Sequence, residues 1–77
     1  MNRKNFEDLY NKLKDGNASK EQKIQLLNEL YAQRRITPEN YSQSKDKLEK
    51  GNDVKSVINF LLIVAGLYLV IKILSDE

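Results

Sequence analysis

The side chains that most often perform catalysis are scarce in this chain. It contains no histidine and no cysteine, so the commonest general base, the thiolate nucleophile and the commonest ligands of transition metals are missing. Glu7 and Asp8 are adjacent carboxylates, but neighbours on a helix point about 100° apart and do not form a paired site. Gly16, Gly51 and Gly66 are isolated, so there is no glycine-rich phosphate loop. The sequence predicts a protein that is not an enzyme and uses no metal or cofactor.

The basic residues suggest a second kind of chemistry, the binding of phosphate groups. Residues 1–50 carry eleven Lys or Arg and eight Asp or Glu, a difference of +3, and the two signs are interleaved. A balance this modest argues against a nucleic-acid partner. Beside an anionic bilayer, in contrast, each lysine near the surface contributes about 1 kcal/mol. The lysines expected to contact lipid headgroups are Lys45, Lys47, Lys50, Lys55 and Lys72.

Lipid is the expected partner because of the apolar stretch at residues 54–74. Fourteen of its residues are large and apolar, and its only charges, Lys55 and Lys72, lie near its two ends. At 1.5 Å per residue a helix of this length spans about 30 Å, the thickness of a bilayer's hydrocarbon core. The apolar residues together favour insertion by about 4–8 kcal/mol. We predict a transmembrane helix; the alternative, a core helix of a soluble protein, needs a partner surface that the rest of the chain can hardly supply.

Charge near this stretch predicts its orientation. Four of the five lysines named above precede it or lie at its start, whereas only Ser75, Asp76 and Glu77 follow Lys72. The positive-inside rule then places the N-terminus in the cytoplasm and the C-terminus across the bilayer, although Lys72 partly offsets the bias. The prediction is a single-pass, tail-anchored protein with a cytoplasmic head at residues 1–50, a short linker at 51–53, the span at 54–74 and a short acidic tail at 75–77.

The head is predicted to be all-α, with three short helices. Apolar residues at i, i+3, i+4 and i+7 mark the first helix, which ends at the left-handed cap Gly16. Ser19 and Gln22 form a capping box for the second helix, which runs to about Arg34. Thr37 caps a third helix. Only two or three residues separate the second and third helices, so these should form an antiparallel hairpin, and Asp53 can cap the span.

This hairpin, at about residues 24–48, resembles the SHOCT (short C-terminal) domain, a helical hairpin of bacterial and phage proteins. The shared pattern is an apolar helix followed by Ile36, Thr37, Glu39, Tyr41, Lys45 and Leu48 at the family's relative spacing. Arg34 or Arg35 replaces the family's turn glycine, Asn40 replaces its second acidic residue, and an apolar stretch follows where the module usually ends a chain. The resemblance implies a role in assembly or oligomerisation and brings no catalytic residues.

Two surfaces are candidates for protein–protein contact. The head face collects the apolar residues of the three helices: Phe6, Leu9, Tyr10, Leu13, Ile24, Leu27, Leu30, Tyr31, Ile36, Tyr41 and Leu48. The association face lies on the span, where Ser56, Asn59, Ile63, Gly66 and Val70 fall within an arc of about 80°. Its polar groups and small residue favour helix association in lipid, by about 0.6–2 kcal/mol per polar contact. The alternative for Asn59 is that it lies close enough to the membrane boundary to be hydrated among headgroups. Tyr68, near the other end of the span, is expected in the far interfacial belt of aromatic residues.

The sequence therefore predicts a non-enzymatic membrane protein whose head mediates oligomerisation or assembly. A head of about fifty residues without disulfides or metal rarely buries enough apolar surface to fold alone. Its expected partners are the bilayer and either other protein subunits or further copies of itself, with no small-molecule substrate. An alternative is a minor structural protein of a lipid-containing virus or phage, linking an internal bilayer to the protein shell. A third is a small lysis or pore-forming protein, which the sizeable head argues against.

Overall fold

The computed structural model describes residues 2–75, and within that range the chain forms four α-helices: α1 (Arg3–Lys14), α2 (Lys20–Ala32), α3 (Pro38–Lys50) and α4 (Val54–Ser75). The predicted all-α architecture, three short helices followed by one long apolar helix, is confirmed. Asp76 and Glu77 of the predicted acidic tail lie outside the described residues.

The starts of the helices follow from local side-chain chemistry. Ser19 Oγ accepts a hydrogen bond from Gln22 N at 3.1 Å, and Gln22 Oε1 accepts one from Ser19 N at 2.9 Å. This is the predicted capping box, in which two backbone donors without helical partners are satisfied reciprocally. Thr37 Oγ1 likewise accepts from Asn40 N at 3.0 Å, with Pro38 at the first helical position where its missing N–H has no cost. Both starts are therefore fixed by a few consecutive residues.

The ends of the first three helices depend on left-handed residues. Gly16 has φ 78° and Gly51 has φ 65°, a conformation that glycine adopts without a steric penalty. Arg34 takes the same conformation with φ 59°, and Arg35 N then donates to Leu30 O at 2.9 Å. α2 therefore stops before Arg34, where the sequence predicted its end, because a left-handed residue cannot continue a right-handed helix.

α2 and α3 fold back on each other as a hairpin. The rings of Tyr31 and Tyr41 stack with centroids 4.3 Å apart and an interplanar angle of 15°. Tyr41 Oη donates a hydrogen bond to Asn28 Oδ1 at 2.6 Å. These contacts join the middle and end of α2 to the first turn of α3, so the tight connection between them is reinforced by side chains.

α4 completes the core of the head. It packs against α1, α2 and α3, and its buried residues, called here the inner face of α4, are Val57, Leu61, Ala65, Tyr68 and Leu69. The expectation that the rest of the chain could hardly supply a surface for this helix is therefore wrong for this one face. The apolar residues of the first three helices converge on α4 and form one buried cluster with its inner face.

Candidate membrane and assembly surfaces

Every exposed large apolar residue in the described part of the chain, apart from Tyr31, lies on the side of α4 turned away from the head. The most exposed large residues of this side, called here the outer face of α4, are Ile63, Leu67, Val70, Ile71, Ile73 and Leu74, with 43–71% of their surface accessible. α4 has 22 residues and a mean hydropathy of 2.5 in its most apolar window, so it is long and apolar enough to cross a membrane. Only 28% of that window is buried.

Most of the predicted association face lies on the opposite side of α4 from the head. At 100° per residue its mean direction is about 170° from that of the inner face. Ser56, Asn59, Ile63 and Val70 are exposed. Gly66 is half-buried, and a Cβ placed on it would lie 3.3 Å from the hydroxyl oxygen of Tyr10. Asn59, Ile63 and Val70 are thus accessible to a second helix while the head is packed, whereas Ser56 borders a cavity with α3 and Gly66 is in contact with α1.

Two of the predicted headgroup lysines are paired with carboxylates at the junction of α3 and α4. Lys47 Nζ lies 3.3 Å from Asp53 Oδ2, and Lys50 Nζ lies 3.2 Å from Asp46 Oδ1. All four side chains are substantially exposed, so these pairs contribute little to stability and do not prevent the lysines from reaching lipid phosphates. Asp53, expected to cap α4, has φ 52° and directs its carboxylate to Lys47.

The other three headgroup lysines are spread over the molecule. Lys45 Nζ lies 5.8 Å from the centroid of the Tyr41 ring. Lys55 is exposed in the first turn of α4, whereas Lys72 lines a shallow cavity between α4 and the head together with Glu29. The five lysines therefore do not form one continuous basic surface in this arrangement.

Most of the predicted head face lies inside the core. Six of its residues are at most 8% exposed: Phe6, Leu13, Leu27, Leu30, Ile36 and Leu48. Leu9, Tyr10, Ile24 and Tyr41 are partly buried against the same cluster, and Tyr31 is more exposed, at 38%. The residues predicted to meet a protein partner thus meet one another and the inner face of α4.

Sequence reasoning missed one buried residue of the head and two contacts that join the head to α4. Ser44 is only 8% exposed; its position between Tyr41 and Leu48, at helical spacing, was the signal that could have placed it in the core. The Phe6 and Tyr68 rings meet edge to face with centroids 4.9 Å apart. The guanidinium of Arg35 lies 5.3 Å from the centroid of Tyr68. No local pattern signals these last two contacts, because their partners are far apart in the chain.

The described residues contain no group of acidic, cysteine or histidine side chains that could hold a metal ion. No protein-family model, curated protein or solved structure matches this chain in the comparisons. The SHOCT-like interpretation of residues 24–48 therefore stays a prediction.

Proposed function

We propose that this chain is a non-enzymatic, single-pass membrane protein in which α4 crosses the bilayer and the head mediates oligomerisation or assembly of a membrane-associated complex. The observation that carries the proposal is the outer face of α4, whose six large apolar residues are 43–71% exposed. Exposing this many large apolar side chains to water is unfavourable, whereas burying them in hydrocarbon is favourable.

Partial burial of α4 supports lipid rather than a soluble fold as its environment. A core helix of a soluble protein is covered on most of its surface, whereas only 28% of the most apolar window of α4 is buried. The head covers one side, and no described residue is left to cover the other. Exposed apolar patches of this kind mark membrane or protein contact sites. A bilayer would surround α4 completely and remove both faces from water.

The distribution of charge supports an orientation with the head in the cytoplasm. Lys47 and Lys50 lie in the last turn of α3, and Lys55 lies in the first turn of α4. All three are close to the point where α4 would enter the membrane, at the distance over which the positive-inside rule operates. Exposed lysines close to the membrane surface also attract anionic headgroups.

Single cysteines test the spanning arrangement, since the chain has none of its own. Asn17 lies in the exposed connection between α1 and α2, and Ser75 is the last residue of α4. In sealed vesicles of known sidedness, a maleimide that cannot cross membranes should label Asn17→Cys from the cytoplasmic side only and Ser75→Cys from the opposite side only. Labelling of both positions from one side, or release of the protein by alkaline carbonate, would contradict a transmembrane α4.

The assembly role is tested by the native mass of the protein. Extraction from its membrane in mild detergent should give one defined complex, either of several copies of this chain or of this chain with other subunits at fixed stoichiometry. A uniform monomer in detergents that preserve known membrane complexes would contradict assembly and leave the membrane anchor intact.

A further inference from the structure

The head contacts α4 far along its length. Tyr10 reaches Gly66, and both Phe6 and Arg35 lie against Tyr68. Tyr68 is 14 residues beyond Val54, which corresponds to about 21 Å along a helix axis. In a spanning helix whose first turn lies at the cytoplasmic surface, Tyr68 is beyond the middle of the hydrocarbon core.

The packed arrangement and the spanning arrangement therefore exclude each other. If the head followed α4 into the bilayer, Arg35 and the charged residues of α1 would enter hydrocarbon: Arg3, Lys4, Glu7, Asp8, Lys12 and Lys14. A charged side chain at the bilayer centre disfavours insertion by about 2.5–3.5 kcal/mol or more. The connections between the head helices would also leave backbone polar groups unsatisfied in lipid.

We propose that the chain has two states, and that α4 blocks the head face until it enters a membrane. In the closed state, which the structure describes, the head holds the inner face of α4. In the open state α4 crosses the bilayer and the apolar residues of the head that it covered become available for assembly. This inference rests on the proposed function, and it couples the two parts of that function: the head can assemble only after α4 has inserted.

The turn between α3 and α4 supplies the hinge that this change requires. Only residues 51–53 separate the two helices, and two of them, Gly51 and Asp53, have positive φ values of 65° and 52°. Hinge motions are absorbed by a few such residues at the ends of elements. The Lys47–Asp53 contact across this turn is exposed, at 39% and 54% of the side-chain surfaces, so it offers little resistance to rearrangement.

The bilayer shifts the equilibrium from the closed state to the open state. In the closed state the head buries only the inner face of α4, and the outer face stays in water. In lipid both faces are removed from water, whereas the head loses the covering of its apolar residues. The loss is offset when those residues bury against a protein partner, so insertion and assembly reinforce each other.

A removable cross-link between the head and the far end of α4 tests the inference. Gln33 and Lys72 line the same cavity between α2 and α4, so a bis-maleimide containing a disulfide should bridge Gln33→Cys and Lys72→Cys in detergent-free buffer. Linked and unlinked samples of this one variant are then added to anionic vesicles, and protease protection of a C-terminal tag is measured. The unlinked protein should become protected; the linked protein should lose that protection and regain it when the linker is reduced.

A second pair controls for the chemistry. Gln43 and Ser56 line a cavity between α3 and the first turns of α4, and Ser56 is only about 3 Å along the helix from Val54. A linker here ties the head to α4 at the level of the membrane surface, so linked Gln43→Cys/Ser56→Cys should be protected as well as its unlinked form. Loss of protection in both linked pairs would show that the linker itself blocks insertion and would overturn the specific role of the distant contacts.

The outcomes separate this inference from the function on which it rests. Equal protection of linked and unlinked Gln33→Cys/Lys72→Cys would overturn the two-state proposal while supporting a transmembrane α4. Failure of the pair to link in buffer would overturn the closed state. No protection of the unlinked variant or of the wild-type chain would instead overturn the membrane span. After detergent extraction, assembly by the unlinked sample alone supports the coupling, and assembly by both samples overturns it.

Discussion

Arg34 is the residue whose conformation is least suited to its side chain. With φ 59° it lies in the left-handed region, which costs a residue other than glycine about 1–2 kcal/mol. Glycine loses more backbone freedom on folding, which offsets part of this gain. We expect Arg34→Gly to stabilise the head by about 1 kcal/mol, measured by urea unfolding of the full chain in detergent-free buffer, followed by far-UV circular dichroism.

Arg35→Gly is the matched control for this change. It removes the same charge from the adjacent position, but Arg35 has no positive φ and its guanidinium lies 5.3 Å from the Tyr68 ring centroid. We expect no increase in the free energy of unfolding, and a decrease equal to whatever the cation–π contact contributes. Equal stabilisation by both substitutions would show that reduced charge, and not the left-handed backbone, is the cause.

A substitution at Gly66 tests whether this part of α4 packs against α1 of the same chain or against a second chain. A Cβ at this position would lie 3.3 Å from the Tyr10 hydroxyl oxygen, so Gly66→Leu should separate α1 from α4. We expect it to reduce cross-linking of the Gln33→Cys/Lys72→Cys pair several-fold, whereas Ile63→Leu on the exposed side should leave cross-linking unchanged. If Gly66→Leu instead abolishes assembly and leaves the cross-link intact, Gly66 packs against another chain and not against Tyr10.

At the scale of the helices, the starts and ends could be predicted because each depends on a few consecutive residues. The Ser19–Gln22 capping box, the Thr37 cap and the helix end at Gly16 were all predicted in this way. The packing of α4 on the head was not, because it depends on how three separate apolar stripes converge in space. The same limit applies to the association face: helical spacing places Asn59, Ile63 and Val70 on the exposed side of α4, but it cannot reveal that Gly66 meets Tyr10.

Asn59 provides a test of whether α4 associates with a second helix in the membrane. It is exposed on the side opposite the head, and in hydrocarbon its amide gains about 0.6–2 kcal/mol from a polar partner on another helix. Asn59→Leu should therefore weaken association about 3–30-fold, given that 1.4 kcal/mol corresponds to tenfold. The measurement is energy transfer between labelled chains diluted in vesicles, with Ile71→Leu as the control outside the association face. An unchanged Asn59→Leu would place this side chain among hydrated headgroups and remove it from the interface.

At the scale of the whole molecule, the position of charge along the chain should decide how it sits in the membrane. Replacing Lys45, Lys47, Lys50 and Lys55 by Gln removes four positive charges within about 15–20 residues of the start of α4, the range in which such charges fix topology. We expect the fixed orientation to become mixed, measured as labelling of Asn17→Cys from both sides of sealed vesicles.

The matched control removes four positive charges from elsewhere in the head, at Lys12, Lys14, Lys20 and Lys23. The net charge of the chain is then the same in both variants, but these four lysines lie outside the range in which charge fixes topology, so the orientation should stay uniform. Mixed orientation in both variants would mean that total charge matters and its position does not. Uniform orientation in both would mean that the head stays in the cytoplasm because a folded domain resists translocation, with the lysines serving only to bind headgroups.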